Sequence, residues 1–219
     1  MTTERPGSPD LKSLVLVPAV ITLAVTLLRL VGELLQWSPT FFSRSAGGGF
    51  ALVGIVWLVP LFAIYFARRI AQAGSTPGGG RTIGYSVLGI AIVVGSGYLA
   101  SVLKMSPNGV FVVILVGCVV AAWLAHRSWP ALGRTLLAYG LAARVPVVLV
   151  MLVAIYANWG THYDVPPPNF PPSDPLPKWF FIGFLPQIFL WVPFTMVVGA
   201  LFGGLTVLAV GRGQQPARA

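Results

Sequence analysis

Arg29 and Glu33 stand four residues apart inside an otherwise apolar run, and His162 and Asp164 stand two apart in the strip NWGTHYDVPPPNFPPSDPLPKW, residues 158–179. An arginine and a glutamate at that spacing share a helical face and can pair, although in the less favourable order along the helix. A histidine near a carboxylate is the raw material of an acid–base pair, with Asp164 orienting the imidazole of His162. The same two side chains supply only part of a metal site. Glu33 or Asp174 would have to bring the third ligand, and nothing in the chain order shows that they meet, so no metal is assigned.

Other chemistries lack their parts. There is no GxSxG nucleophile turn, no HExxH zinc motif and no phosphate-binding Walker loop. The lone cysteine, Cys118, removes intramolecular disulfides and CxxC redox chemistry. The second histidine, His126, falls at the opposite end of the apolar runs from His162, which argues against haem held by both, and no cofactor is implied.

The longest polar pattern is on the first apolar run. Thr22, Thr26, Arg29, Glu33 and Gln36 follow one another at steps of four, three, four and three. That rhythm sets all five on one face of a helix. A charge at mid-bilayer costs about 2.5 to 3.5 kcal/mol on insertion scales, so the stripe must turn toward protein or water. It is either internal glue or the wall of a solute path. Arg29 lies about 10 Å below the outer end of its helix at 1.5 Å per residue, and Gln187, just after Pro186, matches that level. Arg144 falls nearer the inner half of its own helix. It either snorkels toward the cytoplasmic interface or leaves a positive charge in the bundle, for which an anionic solute or a lipid phosphate is the natural counter-ion.

The elements that must carry these residues are membrane helices. The chain is 56% hydrophobic and 9% charged, against about 25% charged in soluble domains. Runs longer than 18 residues with almost no charge identify spans, and the short alternating segments of a barrel are missing. The expected fold is all-α: a polytopic integral membrane protein with six transmembrane helices at about 14–36, 50–67, 82–103, 110–125, 131–157 and 179–210. The last is expected to kink at Pro186 or Pro193. Residues 1–13 read as a disordered polar N-terminus before a retained first helix, 158–178 as an extracytoplasmic proline-rich loop, and 211–219 as a cytoplasmic tail.

Basic residues set the direction. Arg5, Lys12, Arg68, Arg69, Arg81, Arg127, Arg134, Arg212 and Arg218 belong to one side, and only Arg44, Lys104 and Lys178 to the other. That bias places both termini in the cytoplasm, in a bacterial-type inner (plasma) membrane. The same loops account for the net charge of +9, so nucleic acid is not an expected partner; the lipid bilayer is. The seven prolines of the strip favour an extended strap over the outer mouth, with Trp159, Tyr163 and Trp179 at headgroup level. Its functional reading rests on Asn158, His162 and Asp164.

Three function classes follow. The first is a transporter, channel or membrane-embedded binding protein for an anionic or amphipathic solute. The second is a non-catalytic accessory or lipid-contacting subunit with partners in a larger membrane complex. The third is an outer-leaflet enzyme using His162 and Asp164.

Overall fold

The computed structural model describes residues 10–49 and 51–212, and the side chains up to residue 210. The expectations for residues 1–9, for Phe50 and for the tail beyond 210 lie outside the described residues or side chains. Within them the chain is helical and has no strand. The helices are α1 (Leu11–Leu34), α2 (Leu58–Gln72), α3 (Gly79–Val102), α4 (Pro107–Ser128), α5 (Pro130–Ala157) and α6, which runs over Pro175–Val210. Five of them, all but α2, are long and apolar enough to cross a membrane. Their outward faces carry exposed leucine, valine and isoleucine, such as Leu16, Val20 and Leu27 on α1, as lipid contact requires.

Local chemistry sets the ends. Asp10 caps α1 by accepting from Ser13 N at 2.9 Å, so the helix begins at Leu11, three residues before the expected position 14. Ser106 caps α4, and Pro107 and Pro130 occupy first-turn positions of α4 and α5, where a missing N–H costs nothing. Asn158 closes α5 in the left-handed conformation, φ 52°.

The second helix departs from expectation. Residues 51–57 are not helical, and α2 begins only at Leu58, then passes Arg68-Arg69 and ends at Gln72. Its 15 residues reach only about 22 Å, less than the roughly 30 Å hydrocarbon thickness. The irregular stretch before it folds back on the preceding loop, where Leu52 N and Val53 N donate to the carbonyls of Thr40 and Phe41. Non-helical backbone at this level is stable only where it is buried in protein or lines a cavity.

One end of the bundle is solid. Phe62 and Phe66 of α2 meet Tyr139 of α5 with ring centroids 5.5 Å apart in both pairs, above Leu132, Leu136 and Trp129. Gly199 and Gly203 of α6 lie where any Cβ would enter Leu136 and Leu132, so α5 and α6 meet with no space to spare. Gly117 and Ala121 of α4 likewise face Ser96 and Gly89 of α3. The other end is open, and α6 changes character there. Turns of π type occupy Trp179–Phe184 and Gln187–Trp191, on either side of Pro186 and just before Pro193. Each proline lacks the N–H that a carbonyl one turn earlier needs, which widens the helix instead of breaking it.

Candidate functional site

Glu33 is the hub of the open end. Its side chain is fully buried and takes three contacts. Arg29 Nε donates to Oε1 at 2.9 Å, His162 N donates to Oε2 at 2.9 Å, and His162 Nδ1 lies 2.5 Å from Oε1. One guanidinium N–H and one backbone N–H donate to Glu33, the pattern that suits an ionised carboxylate. The carboxylate in turn fixes Nδ1 as the protonated nitrogen of a neutral His162. Nε2 carries no hydrogen bond from the described residues. Burial holds the His162 imidazole below its ordinary pKa; the bond to Glu33 opposes this and the charge of Arg29 adds to it.

Arg29 reaches in the other direction as well. Its Nη2 donates to Gly48 O at 2.8 Å. Gly48 has φ +83°, and a Cβ there would stand 2.6 Å from Nη2. Glycine therefore serves both the left-handed turn and the close approach of the guanidinium. A second clamp, Arg44 Nε to Gly160 O at 2.7 Å, ties the same loop to the start of the proline strip.

Asp164 does not orient His162. Its carboxylate accepts from Gly160 N (2.8 Å), Thr161 N (2.7 Å) and Thr161 Oγ1 (2.7 Å). It closes the turn that presents His162 to Glu33, and the partner that sequence spacing offered to the imidazole is replaced by one from α1. Tyr163 is 2% exposed, packed inside the protein, and donates to Thr26 O at 3.2 Å. Burial pushes its phenol pKa well up, so it remains a neutral donor. Trp179 also turns inward, with Nε1 on Val148 O at 3.0 Å.

The expected stripe divides. Thr22 bonds Pro18 O at 2.8 Å and the Tyr139 hydroxyl at 2.9 Å, inside the solid end. Thr26 and Arg29 line a cavity, with Glu33 buried behind them. Gln36 leaves the group: α1 ends at Leu34, and Gln36 is exposed with φ 55°.

That cavity, about 1030 Å³, opens under the proline strip. Its walls include Ile55 and Trp57 of the irregular stretch, Phe111 of α4, Val147 and Met151 of α5, and Phe181 of α6. Its polar lining in the helices and the turn comprises Thr26, Arg29, Asn108, Arg144, His162, Tyr163 and Gln187, and Arg29 and Arg144 carry its charge. Of the seven residues before Leu58, read from hydropathy as helix, five (Ala51, Gly54, Ile55, Val56 and Trp57) are thus wall instead.

Arg144 lies at the middle of α5. It is 5% exposed, so it does not snorkel. Its Nη1 donates to Gln187 Oε1 at 3.3 Å, its guanidinium sits 4.8 Å over the Trp191 ring, and its buried Nε has no partner among the described residues. Gln187 therefore partners Arg144, not Arg29. The level match fails because α6 begins at Pro175 instead of near 179, which sets Gln187 about 18 Å below the outer end, level with Arg144. Neither partner of Arg144 is an acid. Among the described residues no group of three His, Cys, Asp or Glu is placed to hold a metal ion.

No family model, no curated protein and no solved structure matches this chain.

Proposed function

We propose that the chain is a six-span plasma-membrane protein that binds, and carries across or within the bilayer, an anionic amphiphile in the cavity beneath the proline strip. One observation carries this reading. Arg144 presents a permanent positive charge from the middle of α5 to a cavity walled mostly by apolar and aromatic side chains, and among the described residues its partners are a neutral amide and an indole. Such a residue is costly unless a counter-charge arrives. Few polar groups among apolar walls is the ordinary make-up of a small-molecule site. The anionic head would sit between Arg144, Gln187 and Trp191, and the apolar body against Phe111, Val147 and Ile55. In this reading Asp164 and the strip are structural, which leaves an acid–base enzyme without its expected pair.

The six-span count rests on α2 and the irregular residues before it together crossing the bilayer. The cytoplasmic placement of both ends rests on Arg68, Arg69, Arg81, Arg127 and Arg134 lying at the solid end of the bundle, against Arg44, Lys104 and Lys178 at the open one.

The test is calorimetric titration of the protein in maltoside detergent with decane-1-sulfonate, whose head stays ionised at all working pH values. Saturable binding to wild type and a loss of roughly tenfold or more in Arg144→Gln are expected. Equal affinity in both would refute the assignment.

A further inference from the structure

The cavity holds a second feature that a simple anion site does not need. Arg29 is already neutralised by Glu33, yet His162 is locked onto the same carboxylate by two bonds, with Nε2 left over. A structural strap needs only one such tie. The imidazole lines the cavity that Arg144 lines, and both belong to one connected apolar enclosure.

We infer that the Glu33–His162 pair is a proton site coupled to anion binding: the anion received by Arg144 enters with a proton, which His162 takes up at Nε2. The inference rests on the anion site proposed above. The step is a plain protonation. Glu33 keeps its negative charge and accepts the Nδ1 hydrogen throughout, Nε2 gains a proton from solvent, and no bond other than N–H is formed.

The charge balance gives the direction. With His162 neutral, Glu33 cancels Arg29 and the positive charge of Arg144 stands alone. Protonation of His162 adds a second. An anion in the cavity then favours the imidazolium, and by reciprocity the imidazolium favours the anion. The groups facing His162 are Arg29 and Glu33 from α1, Asp164 and Tyr163 from its own turn, and Arg44 bound to the neighbouring Gly160 carbonyl; the nearest charge on α5 is Arg144, and Gln187 of α6 is neutral. Asp164 is committed to three turn bonds and Tyr163 donates to Thr26 O, so the unbonded Nε2 of His162 is the atom in this set placed to take up a proton. Burial and Arg29 together keep it unprotonated in the empty cavity, which leaves the proton to arrive with the ligand.

The experiment is the decane-1-sulfonate titration repeated from about pH 8 to about pH 5, in buffers of different ionisation enthalpy, so that proton uptake is read directly. Wild type is expected to bind roughly tenfold more tightly at the acid end and to take up about one proton per anion at neutral pH. His162→Asn keeps a donor toward Glu33 but has no Nε2; it is expected to bind with a flat pH dependence and no uptake. Wild-type affinity that is flat with pH and without proton uptake, while Arg144→Gln still abolishes binding, would overturn the proton site and leave the anion site standing. Retained pH dependence in His162→Asn would also overturn it. No binding at any pH would remove both. Proton uptake by wild type decides the matter even where the variant does not fold.

Discussion

His162 and Glu33, 129 positions apart in sequence, hold each other twice: the backbone N–H of His162 donates to one carboxylate oxygen and its Nδ1 meets the other. The first helix and the loop after the fifth are thereby locked together at a fully buried acid. The same carboxylate neutralises Arg29, so one residue sets both the closure of the strap and the charge of the cavity wall.

Removing that acid isolates a charge. Glu33→Gln leaves Arg29, whose side chain is 13% exposed, without its counter-ion. A loss of about 3 kcal/mol is expected, the usual cost of breaking a buried pair from one side. The double change Arg29→Leu with Glu33→Leu should be less destabilised than Glu33→Gln alone. Thermal unfolding in detergent gives both values, and a single variant as stable as wild type would show that the pair is not a structural tie.

The stretch most legible in advance was α1. Its four-and-three rhythm placed Thr22, Thr26, Arg29 and Glu33 on one buried face, because a helix converts spacing directly into position. Gln36 escaped since that rule expires where the helix does, at Leu34. Residues 51–57 misled for a different reason: hydropathy reports an apolar setting, and a cavity wall is as apolar as a lipid-facing helix. The pairing of His162 with Glu33 has no local signature at all, and the nearer Asp164 was the obvious but wrong partner for the imidazole. The one available hint was that an intramembrane acid needs donors, and the strip carries a histidine within a turn.

Asp164 makes its own prediction. Replacement by alanine removes three hydrogen bonds that shape the Gly160–Asp164 turn, with an expected cost of about 2 kcal/mol. Amide hydrogen exchange at Thr161, His162 and Tyr163 should rise sharply while exchange in α3 and α4 stays unchanged. Uniform acceleration across the whole bundle, or none in the turn, would contradict the role given to it.

Acid should loosen the strap. A histidine whose folded pKa is held below its ordinary value binds fewer protons folded than unfolded. Its contribution to stability is therefore complete above the ordinary value of about 6.5 and is lost as pH falls below it, levelling off once the folded imidazole is protonated. The melting temperature of the ligand-free protein should fall between about pH 7 and about pH 5, and His162→Asn should remove most of that slope. A slope unchanged by the substitution would assign the effect to another group.

Gly48 is expected to tolerate nothing larger. In Gly48→Ala the new methyl meets Arg29 Nη2 in a backbone conformation with φ +83°, at a cost of roughly 2 kcal/mol. Gly74→Ala, also at positive φ but with nothing within 4 Å, should lose less. Equal losses would mean that the contact with Arg29 adds nothing to the backbone strain.

The most direct test of the central claim is the position of the anion itself. A structure of the protein determined with an alkyl sulfonate brominated next to its head, located by the anomalous signal of bromine, should show the peak beside the Arg144 guanidinium, between Gln187 and Trp191, with the chain against Phe111 and Val147. A peak confined to the outer belt of lipid-facing residues, with the cavity filled only by water, would contradict it.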